Sequence, residues 1–303
     1  MTVASHPVIP AERHTARTSA AAALRGGRPR QWTKNALLFA GLLFAGRAAD
    51  TTAWFDAGVA FVAYCLLSSA AYLLNDVRDR VDDRLHPAKR KRPVASGALA
   101  VRSALILATA LATAGFGLAG SLGPRSLILA AGFATLQCAY SCALKRIPFV
   151  DVVTIAALFV VRASAGAAAV HVRVSIWLVA CTALLALFLG FAKRRAELLL
   201  VESGKARGRA VLARYSVATT ERLVWISAVA AVLAYALYAA TARPSPEMLL
   251  TAPFVAGGVT RYLYLVRSRD LGEEPETVLL HDIPIIVFVA LWALTAGVLL
   301  ATT

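Results

Sequence analysis

Cysteine and aromatic residues are scarce in this 303-residue chain, and acidic residues are outnumbered by Lys and Arg, 17 to 32. The four cysteines (Cys65, Cys138, Cys142 and Cys181) all fall inside apolar runs, which implies no disulfide framework. Cys138 and Cys142 stand four apart and would share a helix face, but no matching His or Cys pair exists to complete a soft-metal site. All four are therefore read as small buried residues. A secretory signal is also missing, because residues 1–27 are rich in Ala, Arg, Ser and Thr and have no apolar centre. That segment reads as a disordered cytoplasmic tail. No Ser/His/Asp or Cys/His set suggests a covalent nucleophile.

Apolar residues, by contrast, make up 59% of the chain while aromatics make up only 8%, so the surplus is Ala, Leu and Val. Small aliphatic residues suit helices packed closely in lipid. The formal charge of +15 raises nucleic-acid binding, but the bases sit in short segments between long apolar runs. A nucleic-acid-binding domain would spread them over one face, so nucleic acid is excluded as a partner.

Runs of about 18 to 24 apolar residues match a hydrocarbon core about 30 Å thick. Nine such candidates occur, near 33–47 (short), 54–76, 102–120, 124–144, 149–171, 173–193, 221–241, 246–267 and 281–301. Gly123 and Pro124, and Pro244 and Pro246, mark tight turns between them. With the N-terminus placed inside, 27 of the 32 Lys and Arg fall in inner segments. Four, Arg47, Arg125, Arg173 and Arg243, lie outside, and Arg162 is left within a helix. The positive-inside rule then puts the C-terminus outside. The expected fold is an all-α polytopic bundle in the cell (inner) membrane, with its chemistry on the long, charged inner loops 77–101 and 194–220.

One stretch carries the chemistry. It contains Asn75, Asp76, Arg78, Asp79, Asp82, Asp83, Arg84, His86, Lys89, Arg90, Lys91 and Arg92 within eighteen positions. On a helix Asn75, Asp79 and Asp83 recur every four residues, with Asp76 beside them, making a stripe of oxygen ligands. Carboxylates stacked this closely repel one another unless a cation lies between them. Oxygen donors without His or Cys favour Mg²⁺, which binds through a few carboxylates plus substrate phosphates. The basic run 89–92 then supplies charge for a phosphate ligand. Hence the expected metal ligands are Asn75, Asp76, Asp79 and Asp83, and the expected catalytic groups are Asp79, Asp83 and Lys89. His86 is expected to stabilise the turn.

The segment 75–93 resembles the first Asp-rich signature of the UbiA superfamily of membrane-embedded transferases. Arg28, Pro29, Arg30, Gln31, Trp32, Lys34 and Asn35 resemble the N-terminal motif of its phosphoribosyl-transferring branch. Tyr140 with Lys145, Arg162 to Gly166, and Lys193, Arg194 and Glu197 match further motifs. So do Arg261, Tyr262, Gly272, Pro275, Glu276 and Asp282 in the tail. The resemblance runs from about Arg28 to the last helix, which implies a UbiA-like catalytic domain over 28–303. It implies transfer of 5-phosphoribose from phosphoribosyl diphosphate to a polyprenyl (decaprenyl) phosphate, releasing diphosphate, for cell-wall arabinan precursors. Gln31, Lys34, Arg78, Arg92, Tyr140, Lys145, Arg162, Lys193, Arg194 and Glu197 are the implied substrate contacts, with Mg²⁺ as cofactor. Homo-oligomer formation is left open.

Two departures matter. Many superfamily members carry a second Asp-x-x-x-Asp cluster, where this chain offers Asp151 near Lys145. That favours one principal metal cluster over ionisation of a prenyl diphosphate. After Asp282 the family usually continues with Arg, where this chain has Ile283 and Pro284. The alternatives are an aromatic prenyltransferase using the same motif, and a cation transporter. The transporter is disfavoured because the acids lie at a membrane surface rather than at the midplane. Arg162 is read either as a phosphate contact or organiser of Asp151, or as a structural ion pair. Lys145 is read as balancing Asp151 or touching a phosphate.

Overall fold

The computed structural model describes residues 20–44, 50–86, 89–204, 210–241, 246–268 and 275–302. Every regular element among them is helical. The α-helices are α1 (Ala20–Gly27), α2 (Ala40–Phe44), α3 (Thr51–Arg78), α4 (Arg80–Leu85), α5 (Val101–Ser121), α6 (Pro124–Cys142) and α7 (Val150–Ala169). They continue with α8 (Ile176–Glu202), α9 (Val217–Thr241), α10 (Ala252–Ser268), α11 (Pro275–His281) and α12 (Ile283–Thr302). Among the described residues, six helical stretches are long and apolar enough to cross a membrane: α3, α5, α7, α8, α9 and Glu247–Ser268. Helices α6 and α12 coincide with two more of the expected spans.

Local chemistry sets several boundaries. The Asp50 carboxylate accepts from Thr52 N at 2.9 Å and Ala53 N at 3.1 Å, capping α3. Ser175 caps α8 through Trp177 N. Gly123 takes φ 104° ahead of Pro124 at the first position of α6, the tight turn expected there.

The expected elements are revised in four places. The short run 33–47 takes the form of a 3₁₀ helix over Pro29–Phe39 followed by α2, with 45–49 outside the described residues. It lies so close to α7 that a Cβ on Gly166 would sit 1.9 Å from Leu38 O, and one on Gly41 would sit 2.4 Å from Ala167 N. Glycine at both positions lets the two backbones touch. Part of the segment read as a disordered tail is also ordered, because α1 buries Ala22 against Ala70, Leu73 and Leu99. Residues 1–19 lie outside the described residues. Helix α8 extends well past the expected 193, to Glu202. Finally, Cys138 and Cys142 are exposed on α6 with their sulfurs 4.0 Å apart, while Cys65 is buried as expected. The apolar pattern that suggested burial also covers an exposed side of α6, where Leu127 and Ile128 lie open.

Two hydrophobic clusters divide the bundle. One joins α3, α5, α6 and α7 through Tyr64, Leu67, Ala119, Phe133 and Leu158. The other joins α8, α9, α10 and α12 through Phe188, Val224, Tyr262 and Ile285. Helices α7 and α8 pack across the divide, where a Cβ on Gly190 would meet Val152 at 2.7 Å. Contacts between helix ends bring the C-terminal ends of α3, α6 and α8 together with the beginnings of α7 and α9. The Arg78 guanidinium donates to Cys142 O at 2.9 Å, and Tyr215, just before α9, reaches Asp151 in the first turn of α7.

Candidate active site

The acid motif straddles a joint. Helix α3 ends at Arg78, α4 starts at Arg80, and Asp79 sits between them. Helical hydrogen bonds continue across it, Asp79 N to Asn75 O at 2.8 Å and Asp83 N to Asp79 O at 2.9 Å. The motif is therefore nearly continuous helix rather than loop, and its acids divide between two faces. Asn75 and Asp79, one turn apart, face the turn after α6. Asp76 and Asp83, seven apart, face inward and are buried.

Each face meets its own cations. Arg92 Nη1 lies 2.6 Å from Asp83 Oδ2 and 3.3 Å from Asp76 Oδ1. Arg28 pairs with Asp76 as well. Arg28 adopts the left-handed region at φ 52°, and its guanidinium lies 5.0 Å over the Tyr72 ring. On the other face, Lys145 Nζ contacts Asp79 Oδ2 at 2.9 Å and Asn75 Oδ1 at 3.4 Å. Lys145 does not balance Asp151, because the turn Leu144–Arg146 directs it at α3 instead. The turn function expected of His86 is present: its Nδ1 accepts from Lys89 N at 3.4 Å. Pro87 and Ala88 lie outside the described residues.

A second ionic group lies deeper. Arg194 is 2% exposed and Asp151 is fully buried. Arg194 Nε lies 2.8 Å from Asp151 Oδ2, an ion-pair contact without hydrogen-bond alignment, and Arg194 also pairs with Glu197. Lys193, Arg194 and Glu197 thus sit two turns inside α8 rather than at its end. Tyr140 is half-buried and within electrostatic reach of Arg194. Tyr215, which sequence reasoning missed, completes the group. Its hydroxyl donates to Asp151 Oδ1 and accepts from Phe149 N at 2.7 Å. Burial pushes the Tyr215 phenol pKa up, and the hydrogen bond to Asp151 pushes it further. Phe149 holds φ 64°, and its ring lies 4.8 Å from that of Tyr215, so the strained residue is clamped from two sides. A tyrosine in a basic segment carries no signal that would have singled it out.

Arg162 meets no carboxylate among the described residues. Its Nε donates to Asn35 Oδ1 at 2.8 Å, its Nη1 to Leu158 O at 3.2 Å, and the guanidinium lies 4.6 Å from the Phe133 ring. The two readings that paired it with an acid, as organiser of Asp151 or as half of an ion pair, are corrected. A buried guanidinium tolerates this where carbonyl oxygens and aromatic faces replace water. Lys34 donates to Gln31 at 2.6 Å on the 3₁₀ segment. Arg261 holds Asp282 at 2.9 Å, and Asp282 accepts from Ile285 N, linking α10 to the start of α12.

The donor set at the first motif fits a hard divalent cation. Asn75 Oδ1 and Asp79 Oδ2 already converge on one cation, the Lys145 ammonium. No group of three or more His, Cys, Asp or Glu gathers among the described residues. A divalent ion held here would complete its shell with water and substrate oxygens, which is the habit of Mg²⁺.

A helical bundle with apolar flanks and its ionic groups gathered at one end defines a multi-pass membrane protein. The chain belongs to the UbiA prenyltransferase family, whose profile matches residues 36–282. It is similar to the decaprenyl-phosphate phosphoribosyltransferase of Corynebacterium glutamicum, 35% identical, covering 88% of this chain and 82% of that protein. The protein of the same name from Mycolicibacterium smegmatis is 34% identical, covering 90% and 91%. Among solved structures, a UbiA homolog from Archaeoglobus fulgidus bound to GPP and Mg²⁺ shares the fold with a TM-score of 0.71. Its identity is 19%, and the match covers 93% of this chain and all of that one.

Proposed function

We propose that this protein transfers 5-phosphoribose from phosphoribosyl diphosphate to a polyprenyl phosphate, such as decaprenyl phosphate, releasing diphosphate. The observation that carries this reading is similarity across about nine tenths of the chain to proteins named for that reaction. Residues 28–303 act as one catalytic membrane domain of nine spans in the cell membrane. Its N-terminus and ionic end face the cytoplasm, which the inside bias of Lys and Arg supports. The product feeds cell-wall arabinan synthesis.

Asn75 and Asp79 would hold Mg²⁺, which would supply charge neutralisation for the diphosphate, while Asp76 and Asp83 hold Arg28 and Arg92 on the motif's other face. The bond between C1 of the ribose and the diphosphate oxygen breaks, and its electron pair leaves with the diphosphate. Lys89, Arg92 and Arg78 stabilise that charge as it grows. An oxygen of the acceptor phosphate forms the new bond to C1. Its second pKa is about 6, so it arrives as an anion and needs no general base. Lys145 moves from Asp79 to the donor's phosphates. Gln31, Lys34, Tyr140, Arg162, Lys193, Arg194 and Glu197 shape the remaining donor and acceptor contacts. Lys34 and the basic pair on α8 are the cations for the acceptor phosphate and the donor's 5-phosphate.

Membranes containing the protein, given labelled phosphoribosyl diphosphate, Mg²⁺ and polyprenyl phosphate, should accumulate label in the lipid phase. Asp79→Ala or EDTA should abolish it. Unlabelled lipid from folded wild-type protein overturns the reading and points to a prenyl diphosphate with an aromatic acceptor.

A further inference from the structure

The outer face of the acid motif carries an apolar line, with the exposed Arg78 set into it between Leu74 and Val81. Leu74 is 50% exposed, Val81 60% and Leu85 81%. They stand seven and then four residues apart, so the helical repeat puts them on one line. Because helical hydrogen bonds run through Asp79, that line continues from the membrane-spanning α3 into α4. The buried acids Asp76 and Asp83 take the opposite side. Arg80 and Arg84 flank the apolar line and are exposed, and Arg90 and Lys91 are exposed on the following turn. Asp82 is the one exposed acid on α4.

A soluble loop would not present Leu85 so fully to water beside Val81. A short helix with an apolar outer line flanked by bases has the pattern of an element lying in the membrane interface. Bases near such a surface are drawn to anionic headgroups. We propose that the outer face of Arg80–Leu85 is embedded in the boundary of an anionic phospholipid leaflet, which sets the acid motif at the depth of lipid phosphates. The motif is then a membrane-embedded rim rather than part of a cytoplasmic loop. An acceptor headgroup anchored in the same leaflet meets it without leaving the bilayer. The placement holds whichever diphosphate is the donor.

Full-length Val81→Trp and Leu85→Trp proteins, reconstituted in vesicles of phosphatidylglycerol and bromine-labelled phosphatidylcholine, test it directly. Ser96→Trp, on an exposed turn of the same segment, is the aqueous control. The emission gained over the parent protein's five tryptophans is expected to be quenched several-fold more by bromolipid at 81 and 85 than at 96. Quenching at 81 and 85 that equals the control, with full access to aqueous iodide, overturns the proposal. Replacing phosphatidylglycerol by phosphatidylcholine should weaken the bromolipid quenching at 85. Unchanged quenching there overturns the anionic part of it.

Discussion

The first and second ionic groups use the same residue types to opposite ends. At the first, the outer pair is partly wet: Lys145 and Asp79 are 22% and 23% exposed. At the second, Arg194 and Asp151 are 2% and 0% exposed, and Tyr215 closes over them. An ion pair near water costs little to open, so Lys145 can leave Asp79 for a ligand. A sealed pair cannot release one partner without stranding the other in a dry interior. The second group therefore holds α7, α8 and the segment before α9 in place behind a site that changes.

The sharpest way to break this contrast is to remove one cation from the sealed pair. Arg194→Met leaves Asp151 buried with one hydroxyl partner and should cost ~3–5 kcal/mol of stability. A thermal-unfolding series in detergent should show a large drop in Tm, whereas Asp79→Ala should abolish transfer with Tm almost unmoved. Equal Tm losses would erase the distinction. Tyr215→Phe is the smaller test. It strands the Phe149 N–H and one oxygen of Asp151, and about 1–3 kcal/mol of stability should go with them.

The smallest effect lies in pH. The folded pKa of Tyr215 is raised above the ordinary phenol value of 10.0. The stability this contributes is complete below pH 10.0 and falls as the phenol ionises above it. Wild-type Tm should therefore decline above that pH more steeply than that of Tyr215→Phe. Parallel curves would mean that the buried phenol is not what ties the segment to Asp151.

Much of this was legible in the linear chain. Apolar run length located α3, α5, α6, α7, α8, α9 and α12, because spanning hydrocarbon demands a continuous apolar helix. The density of acids at 75–83 marked the first group, because carboxylates so close together need cations. The short run at 33–47 hid its form: it is mostly 3₁₀ rather than α-helix, and Gly41 and Gly166 let it lie against α7, which only the neighbour reveals. The readings that tied Lys145 to Asp151 and Arg162 to an acid failed for a related reason. Sequence gives a charge its depth along a helix but not its azimuth, so it could not tell that Lys145 turns to Asp79 or that Arg162 rests on Asn35 and Phe133.

What the sequence by itself determined is what depends on one segment at a time: helix lengths, the clustering of bases at one end, and the oxygen-only chemistry of the acid motif. The tertiary structure alone decided which acid meets which cation. Partners such as Asp76 and Arg28, Asp151 and Arg194, or Tyr215 and Phe149 are 48, 43 and 66 residues apart. Nothing local constrains such distant groups, and only the packing of α3, α7 and α8 brings them within hydrogen-bond reach.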